Sequence, residues 1–277
     1  MPATTPQSSL SRVVAGEVAR VALAIAGFKI PTREFASGGN VSGVRSKTQT
    51  FSSRHDSRTL YARDSRYGYG VKAGTWVGDD KTVIAACRRV LRAAKVPSRE
   101  VATVEVVVEM GQVAERLSEE QFRIHDAETL QKLGRARRAV DEIPVWSSYL
   151  MVGLTRAGAF GSLELHWPEL PAVAVREATV LAMLVERRIF QPPELPDARP
   201  ETVEAGIIHS PAIGFFMDVV PVIRVIYRNA NPELRRKPTL YLDRHGQAVS
   251  MPRNIEHNRR EATVTRQKPD ERQTTSV

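Results

Sequence analysis

Apolar residues recur along this chain with two spacings, every second residue in some stretches and every third or fourth in others. Residues 101–110 alternate most regularly, with an apolar side chain at each even position, and this pattern predicts a β-strand. Residues 143–170 predict a β-hairpin, because two alternating arms flank a turn that ends at Gly158. Residues 213–227 are also apolar and β-prone, and Pro221 predicts that this strand lies at a sheet edge or a bulge.

Helical spacing predicts three further elements, which cover residues 11–27, 80–94 and 173–187. Asp79 is a suitable N-cap for the second of them. Cys87 lies on the apolar side of that helix, which predicts a buried and unreactive thiol. Ser118 and Gln121 resemble a capping box and predict a polar helix that runs toward Gly134.

A short motif returns after each predicted helix. Residues 29–35 (KIPTREF) match residues 95–101 (KVPSREV) position by position, and residues 188–195 give a looser third version. The spacing predicts an α+β fold of tandem modules, two to three copies, each with one helix packed on an antiparallel sheet. The predicted organisation is a disordered N-terminus at 1–10, a degenerate module at 11–77, modules at 78–170 and 171–252, and a disordered tail at 253–277.

The chain is basic, with 40 Lys and Arg residues against 31 Asp and Glu residues and a net charge of +9. One candidate binding group is interleaved with aromatic residues and consists of Arg45, Lys47, Arg54, Arg58, Arg63 and Arg66. The densest basic cluster consists of Lys132, Arg135, Arg137 and Arg138. Arginines among aromatic rings are typical of surfaces that bind single-stranded nucleic acid, and they also occur on solvated sheet faces. Both interpretations stay open at the level of sequence.

No motif for catalysis or metal binding stands out. The six histidines lack the spacing of metal ligands on a helix, and none pairs with a serine or cysteine in a known nucleophile motif. The single cysteine excludes an internal disulfide framework. No apolar run approaches the length of a membrane span, and the first ten residues lack the features of a signal peptide. We therefore expect a non-enzymatic protein without a cofactor or metal.

Several short segments resemble a known family. They are the stretch DEIPV at 141–145, the stretch LELHWP at 163–168, and the strand, Asp, turn, Gly and strand pattern at 240–249. Together they resemble the PepSY superfamily and the related fungalysin and thermolysin propeptide modules over residues 78–252. The resemblance implies a helix against a curled antiparallel sheet, a location outside the cytoplasm, and a role as inhibitor, propeptide-like chaperone or regulator without catalytic residues.

The sequence therefore favours a protein-binding or scaffold protein whose sheet faces and edges hold another protein or further copies of the chain. The alternative is a polyanion-binding protein that acts on nucleic acid or a cell-wall polymer through the two basic groups. The compartment is not determined by the residues themselves.

Overall fold

The structure is a computed structural model, and it describes residues 35–38, 41–45, 48–54, 59–64, 79–111, 114–118, 121–126, 128–155, 160–211, 217–231 and 237–249. In these residues two helices and a mostly antiparallel sheet form an α+β fold. The helices are α1 (Asp80–Ala93) and α2 (Ala172–Glu186). The strands are β1 (Phe35–Gly38), β2 (Val41–Arg45), β3 (Gln49–Arg54), β4 (Thr59–Asp64), β5 (Val101–Gly111), β6 (Ala114–Arg116), β7 (Phe122–Ile124), β8 (Glu128–Val140), β9 (Ile143–Thr155), β10 (Phe160–His166), β11 (Ala198–Pro211), β12 (Met217–Asn229) and β13 (Thr239–Leu242).

The main sheet branches at β9. One path runs in the order β1, β2, β3, β4, β10, β9, β11, β12 and β13, while β8 also pairs with β9 and carries β5 on its far side. The pairing of β9 with β11 is parallel and is centred on Val145 opposite Ile207, whereas the other pairings are antiparallel. Strands β6 and β7 form a separate two-stranded ribbon between β5 and β8 in the chain.

Helix α1 covers one face of the sheet, as its apolar spacing predicts. The Asp79 side chain accepts hydrogen bonds from the Thr82 backbone N–H at 2.8 Å and from its hydroxyl at 2.6 Å, and so caps the first turn. The buried residues of this cluster are Phe51, Leu60, Ala62, Val83, Ala86, Cys87, Val90, Leu91, Ala136, Leu150, Val152, Leu154, Leu163, Leu165 and Trp167. Cys87 is buried, as its place on the apolar side of the helix predicts, and this burial raises the pKa of the thiol to about 12.

Helix α2 packs on β9, β11 and β12 with Ala178 and Leu181 buried beneath it. Val180, which helical spacing predicts to face inward, is exposed. The two helices end alike: Lys95 and Arg188 both have φ 56°, a left-handed conformation typical of the residue after a helix. The next residue in each case donates its N–H to a carbonyl five positions back, Val96 to Leu91 and Ile189 to Leu184, both at 2.9 Å. None of the described helices is long and apolar enough to cross a membrane.

The structure confirms the predicted hairpin at 143–170 within the described residues, and it also contains the turn of the pattern at 240–249. Strands β9 and β10 form the antiparallel hairpin, although its turn at 156–159 lies outside the described residues. After β13, the Asp243 carboxylate accepts the N–H groups of His245 and Gln247, and Gly246 has φ 78°. A positive φ of this kind favours glycine, so the sequence pattern at this turn has a direct geometric cause.

The helix predicted from Ser118 toward Gly134 is wrong. This region contains the β6–β7 ribbon followed by β8, which pairs with both β5 and β9. The Ser118 hydroxyl does accept the Gln121 N–H, at 3.2 Å, but this bond closes the turn of the ribbon. The long β8 is stabilised by two neighbouring strands, and such tertiary pairing outweighs the weak local preference of a polar segment.

The edge position predicted for residues 213–227 holds only in part. Strand β12 lies between β11 and β13, because Ile223–Ile226 pair with β13 on one side and with β11 on the other. Pro221 lies outside the part of β12 that pairs with β13, where its missing N–H costs no pairing on that side. The predicted N-terminal helix, the 29–35 copy of the motif up to β1 and the C-terminal tail lie outside the described residues.

Gly206 in β11 is a position where the sheet requires the absence of a side chain. A Cβ atom there would meet the Trp146 ring at 2.6 Å and the Pro144 carbonyl oxygen at 2.7 Å. We expect Gly206→Ala to lower the free energy of unfolding by about 1–3 kcal/mol, because backbone as well as side chain must shift. Urea unfolding followed by circular dichroism measures this loss. Gly134→Ala, whose Cβ contacts are all 3.2 Å, is the control and should lose less; an equal loss would contradict the prediction.

Candidate functional site

Strand β5 is an edge strand of the main sheet within the described residues. It pairs with β8 from Val101 to Gly111, and among the described residues no strand pairs with its other side. The pairing is irregular near both ends, at 101–103 and at 109–110, and is regular over the residues between. Natural edge strands are often protected by charged side chains, especially Lys, by Pro or by a bulge; residues 103–109 (TVEVVVE) contain no Lys, Arg or Pro, and their two charged residues are Glu105 and Glu109. This edge is therefore a site at which another strand can pair.

One face of β5 is apolar and lies over the α1 cluster. Val104 and Val106 pack against that cluster, while Val108 extends past it and is 45% exposed. The ribbon that follows β5 adds exposed apolar side chains, namely Leu117, Phe122 and Ile124. An isolated two-stranded ribbon is marginally stable in water, so these apolar groups favour a contact with further protein surface.

The other face of β5 carries a charged group. Glu105 accepts hydrogen bonds from Arg135 Nε at 2.8 Å and from Arg137 Nε at 3.1 Å. Burial alone would raise the pKa of Glu105, but the hydrogen bonds and positive charges of the two arginines outweigh it, so the pKa is lowered. The carboxylate is thus ionised at neutral pH and partly neutralises both arginines.

The predicted cluster of Lys132, Arg135, Arg137 and Arg138 does not form one patch. Lys132 Nζ donates to Asp80 Oδ1 on α1 at 2.6 Å, and Arg135 and Arg137 share Glu105. Arg138 is only 5% exposed and pairs with Glu100, with 2.7 Å between Nη2 and Oε2. Its guanidinium also donates to the Pro168 carbonyl and lies 5.4 Å from the Trp167 ring centroid. These four cations therefore each have a partner within the chain, and Arg138 is part of the interior.

The first basic group is only partly described. Arg63 is an exposed residue of β4, whereas Lys47, Arg58 and Arg66 lie outside the described residues. Arg45 and Arg54 lie in β2 and β3, where position 45 pairs with Thr50 and position 54 pairs with Thr59. Pairing across β4, β10, β9 and β8 assigns positions 63, 135 and 137 to the same alternating set. These three of the ten predicted basic positions thus belong to one face of the sheet.

A second candidate site lies inside the molecule, where β9, β10 and β11 meet. We call it the polar junction, and it consists of Ser147, His166, His209 and Arg138. Ser147 Oγ accepts the His209 backbone N–H at 2.9 Å and shares a second hydrogen bond with His209 Nδ1. The rings of His166 and His209 meet edge to face with centroids 5.4 Å apart, and His166 Nδ1 shares a 2.8 Å hydrogen bond with Thr59 Oγ1.

The polar junction keeps its histidines neutral. Burial lowers the pKa of His166 to about 4, and the positive charge of Arg138 adds to this effect. Burial lowers the pKa of His209 to about 3, with further contributions from His166 and Arg138. His209 Nε2 is buried without a hydrogen-bond partner among the described residues. Sequence reasoning missed this site, because Ser147 and His209 are 62 residues apart and share no motif.

The chemistry available at the polar junction is limited by burial. Ser147 is 3% exposed, and its oxygen is already bonded to the His209 N–H and ring. A nucleophilic serine must reach a substrate, and its histidine is normally oriented by a third group. Among the described residues no group of three or more His, Cys, Asp or Glu side chains could hold a metal ion. The junction is therefore better suited to joining strands than to catalysis.

Solved structures that are similar to this chain include the two described here. No family model matches the chain, and no curated protein matches it either. An uncharacterized protein from Eubacterium rectale ATCC 33656 has a TM-score of 0.39 and 12% identity, over 86% of this chain and 82% of that one. The YpeB C-terminal domain from Bacillus megaterium has a TM-score of 0.33 and 8% identity, over 85% of this chain and 92% of that one.

Both TM-scores are below 0.5, so neither similarity carries an argument about the function of this chain. The class that the structure itself defines is an α+β protein with a mostly antiparallel sheet.

Proposed function

We propose that this chain is a non-enzymatic protein-binding or scaffold protein that holds another protein chain by strand addition at the edge of β5. The observation that carries the proposal is the regularly paired strand at residues 103–109, whose other side pairs with no strand in the described part of the chain. A strand that pairs there gains main-chain hydrogen bonds, and apolar side chains near Val108 add contact area.

The proposal includes tandem α+β modules of PepSY-like type. Its support is that a left-handed residue follows both α1 and α2, and that the next residue makes the same hydrogen bond to a carbonyl five positions back. These two residues, Lys95 and Val96 after α1 and Arg188 and Ile189 after α2, are the first two of the repeated sequence motif. Each helix is then followed in the chain by antiparallel strands on which it packs. Where a module pairs only one side of an outer strand with its own strands, the backbone groups on the other side can pair with a partner.

A charge placed on the edge tests this function. Val108→Lys is expected to reduce capture of the protein partner at least tenfold, because a lysine on an edge strand opposes pairing. The measurement is affinity capture with the purified full chain, at low and moderate salt and with and without nuclease, read by mass spectrometry. Val180→Lys is the matched control, since Val180 is 56% exposed but lies on α2, and it should retain the partner. A partner retained equally by both variants would contradict the proposal.

The alternative function is polyanion binding, and the specific observation in its favour is that Arg63, Arg135 and Arg137 share one face of the sheet. Glu105 weakens this alternative, because it is ionised and bonded to both Arg135 and Arg137. Polyanion binding predicts that capture disappears with nuclease or moderate salt. It also predicts that Arg63→Ala weakens capture while Val108→Lys does not.

A further inference from the structure

The regular part of β5 is complementary to a second copy of itself. The residues between its two irregular pairings run from Thr103 to Glu109, and Val106 is their midpoint. We propose that two copies of this chain associate by antiparallel pairing of their β5 edges about a two-fold axis at Val106. This inference rests on the proposed function, since it names the occupant of the same edge.

The positions of the glutamates favour the axis at Val106 over the two neighbouring registers. An axis at Val106 places Glu105 opposite the partner's Val107 and Thr103 opposite the partner's Glu109. Moving the axis to Glu105 would place that residue opposite the partner's Glu105, and moving it to Val107 would place Glu105 opposite the partner's Glu109. Directly opposed like charges destabilise a strand pair, so both neighbouring registers are disfavoured.

In the same register, the apolar residues of β5 lie opposite apolar residues of the partner's β5. A two-fold axis perpendicular to the sheet keeps α1 of both copies on one side, so like faces adjoin. Val104 then lies opposite the partner's Val108, and Val106 lies opposite the partner's Val106. Val108 extends past the cover of its own α1, and the partner's Val104 covers it in the pair. The association therefore removes apolar surface from water as well as completing the unpaired edge.

The mass of the full chain in solution is the first test. Analytical ultracentrifugation is expected to give twice the mass of one chain for the wild type and for Val180→Lys. Val108→Lys is expected to give the mass of a single chain, with its far-ultraviolet circular dichroism and melting curve showing that it remains folded. A wild type that is monomeric at every concentration tested would overturn the inference, as would a dimer that Val108→Lys leaves intact.

Single cysteines test the register. With diamide as oxidant, Val106→Cys is expected to form a disulfide dimer, because residues directly opposite on antiparallel strands have Cα atoms about 4.5–5.5 Å apart, within the range of a disulfide. Val104→Cys and Val108→Cys should each form no disulfide dimer when alone and should cross-link when mixed. The native thiol does not interfere, since Cys87 is buried. Cross-linking of Val104→Cys with itself, or none for Val106→Cys, would contradict the axis at Val106.

Failure of this inference is distinguishable from failure of the proposed function. A monomer that still loses a captured protein on Val108→Lys would retain strand addition at β5 and assign the edge to a different partner. A monomer whose capture is insensitive to Val108→Lys would remove both. A monomer that Val108→Lys destabilises would indicate that residues of the same chain cover the edge, which also overturns self-pairing.

Discussion

Replacement of Arg138 by alanine is expected to lower the free energy of unfolding by about 3–5 kcal/mol. The guanidinium is 5% exposed and bonds to the Glu100 carboxylate and the Pro168 carbonyl. Its removal leaves Glu100, whose side chain is largely buried and also accepts the Trp167 Nε1–H at 3.1 Å, without a counter-ion. Urea unfolding at neutral pH, followed by tryptophan fluorescence and circular dichroism, measures the loss.

Lys132 provides the control for this prediction, because it belongs to the same predicted basic cluster but pairs with an exposed carboxylate, Asp80. We expect Lys132→Ala to cost less than about 1 kcal/mol, as exposed ion pairs contribute little. The double variant Glu100→Gln with Arg138→Met should recover part of the loss, since it removes both charges. A loss below about 1 kcal/mol for Arg138→Ala would contradict the interior role of Arg138 and return it to the candidate binding residues.

Acid is expected to destabilise the fold between pH 6.5 and about 5 through the two histidines of the polar junction. Their folded-state pKa values, about 4 for His166 and about 3 for His209, lie below the ordinary value of 6.5. In this window the unfolded chain binds protons that the folded chain excludes, so stability falls as the pH falls. The loss from pH 7 to pH 5 is about 2 kcal/mol for each histidine, and it levels off only below the folded-state values.

Urea unfolding at a series of pH values from 7.5 to 5, a range above the ordinary pKa of Asp and Glu, measures this effect. His209→Asn retains an acceptor for the Ser147 hydroxyl and is expected to remove about half of the pH dependence. His166→Asn should do the same. His245→Asn changes an exposed histidine in the turn after β13 and is the matched control, with the full pH dependence kept. A pH dependence that survives the loss of both His166 and His209 would contradict the prediction.

The two predictions concern the same region of the molecule. Arg138 holds Glu100 next to Trp167, and its charge acts on both buried histidines. The polar junction lies where β9 pairs with β10 on the α1 side and with β11 on the α2 side. A buried polar network that is satisfied in only one arrangement favours that arrangement over alternatives. We therefore expect the junction to fix how β11 joins the hairpin of β9 and β10.

Hydrophobic spacing and capping residues predicted correctly those helices and strands that bury one continuous face. The alternation of residues 101–110 gave β5, the spacing of Val83, Cys87 and Val90 gave α1 with its Asp79 cap, and the glycine turn after Asp243 gave the end of β13. In each case the deciding interactions lie within about ten residues, where periodicity and capping operate directly. The predicted helix before Gly134 failed because the pairing of β8 with two distant strands, and no local signal, decides its conformation.

The sequence by itself thus determined α1 and α2, the strongest strands, the burial of Cys87 and the basic character of this chain. The tertiary structure alone decided which strand has an unpaired side within the described residues, which arginines are neutralised, and that Ser147, His166, His209 and Arg138 come together. The physical reason is that pairing partners and buried ion pairs depend on contacts between residues tens of positions apart. Hydrophobic spacing shows that a segment is buried, but it does not show against which segment.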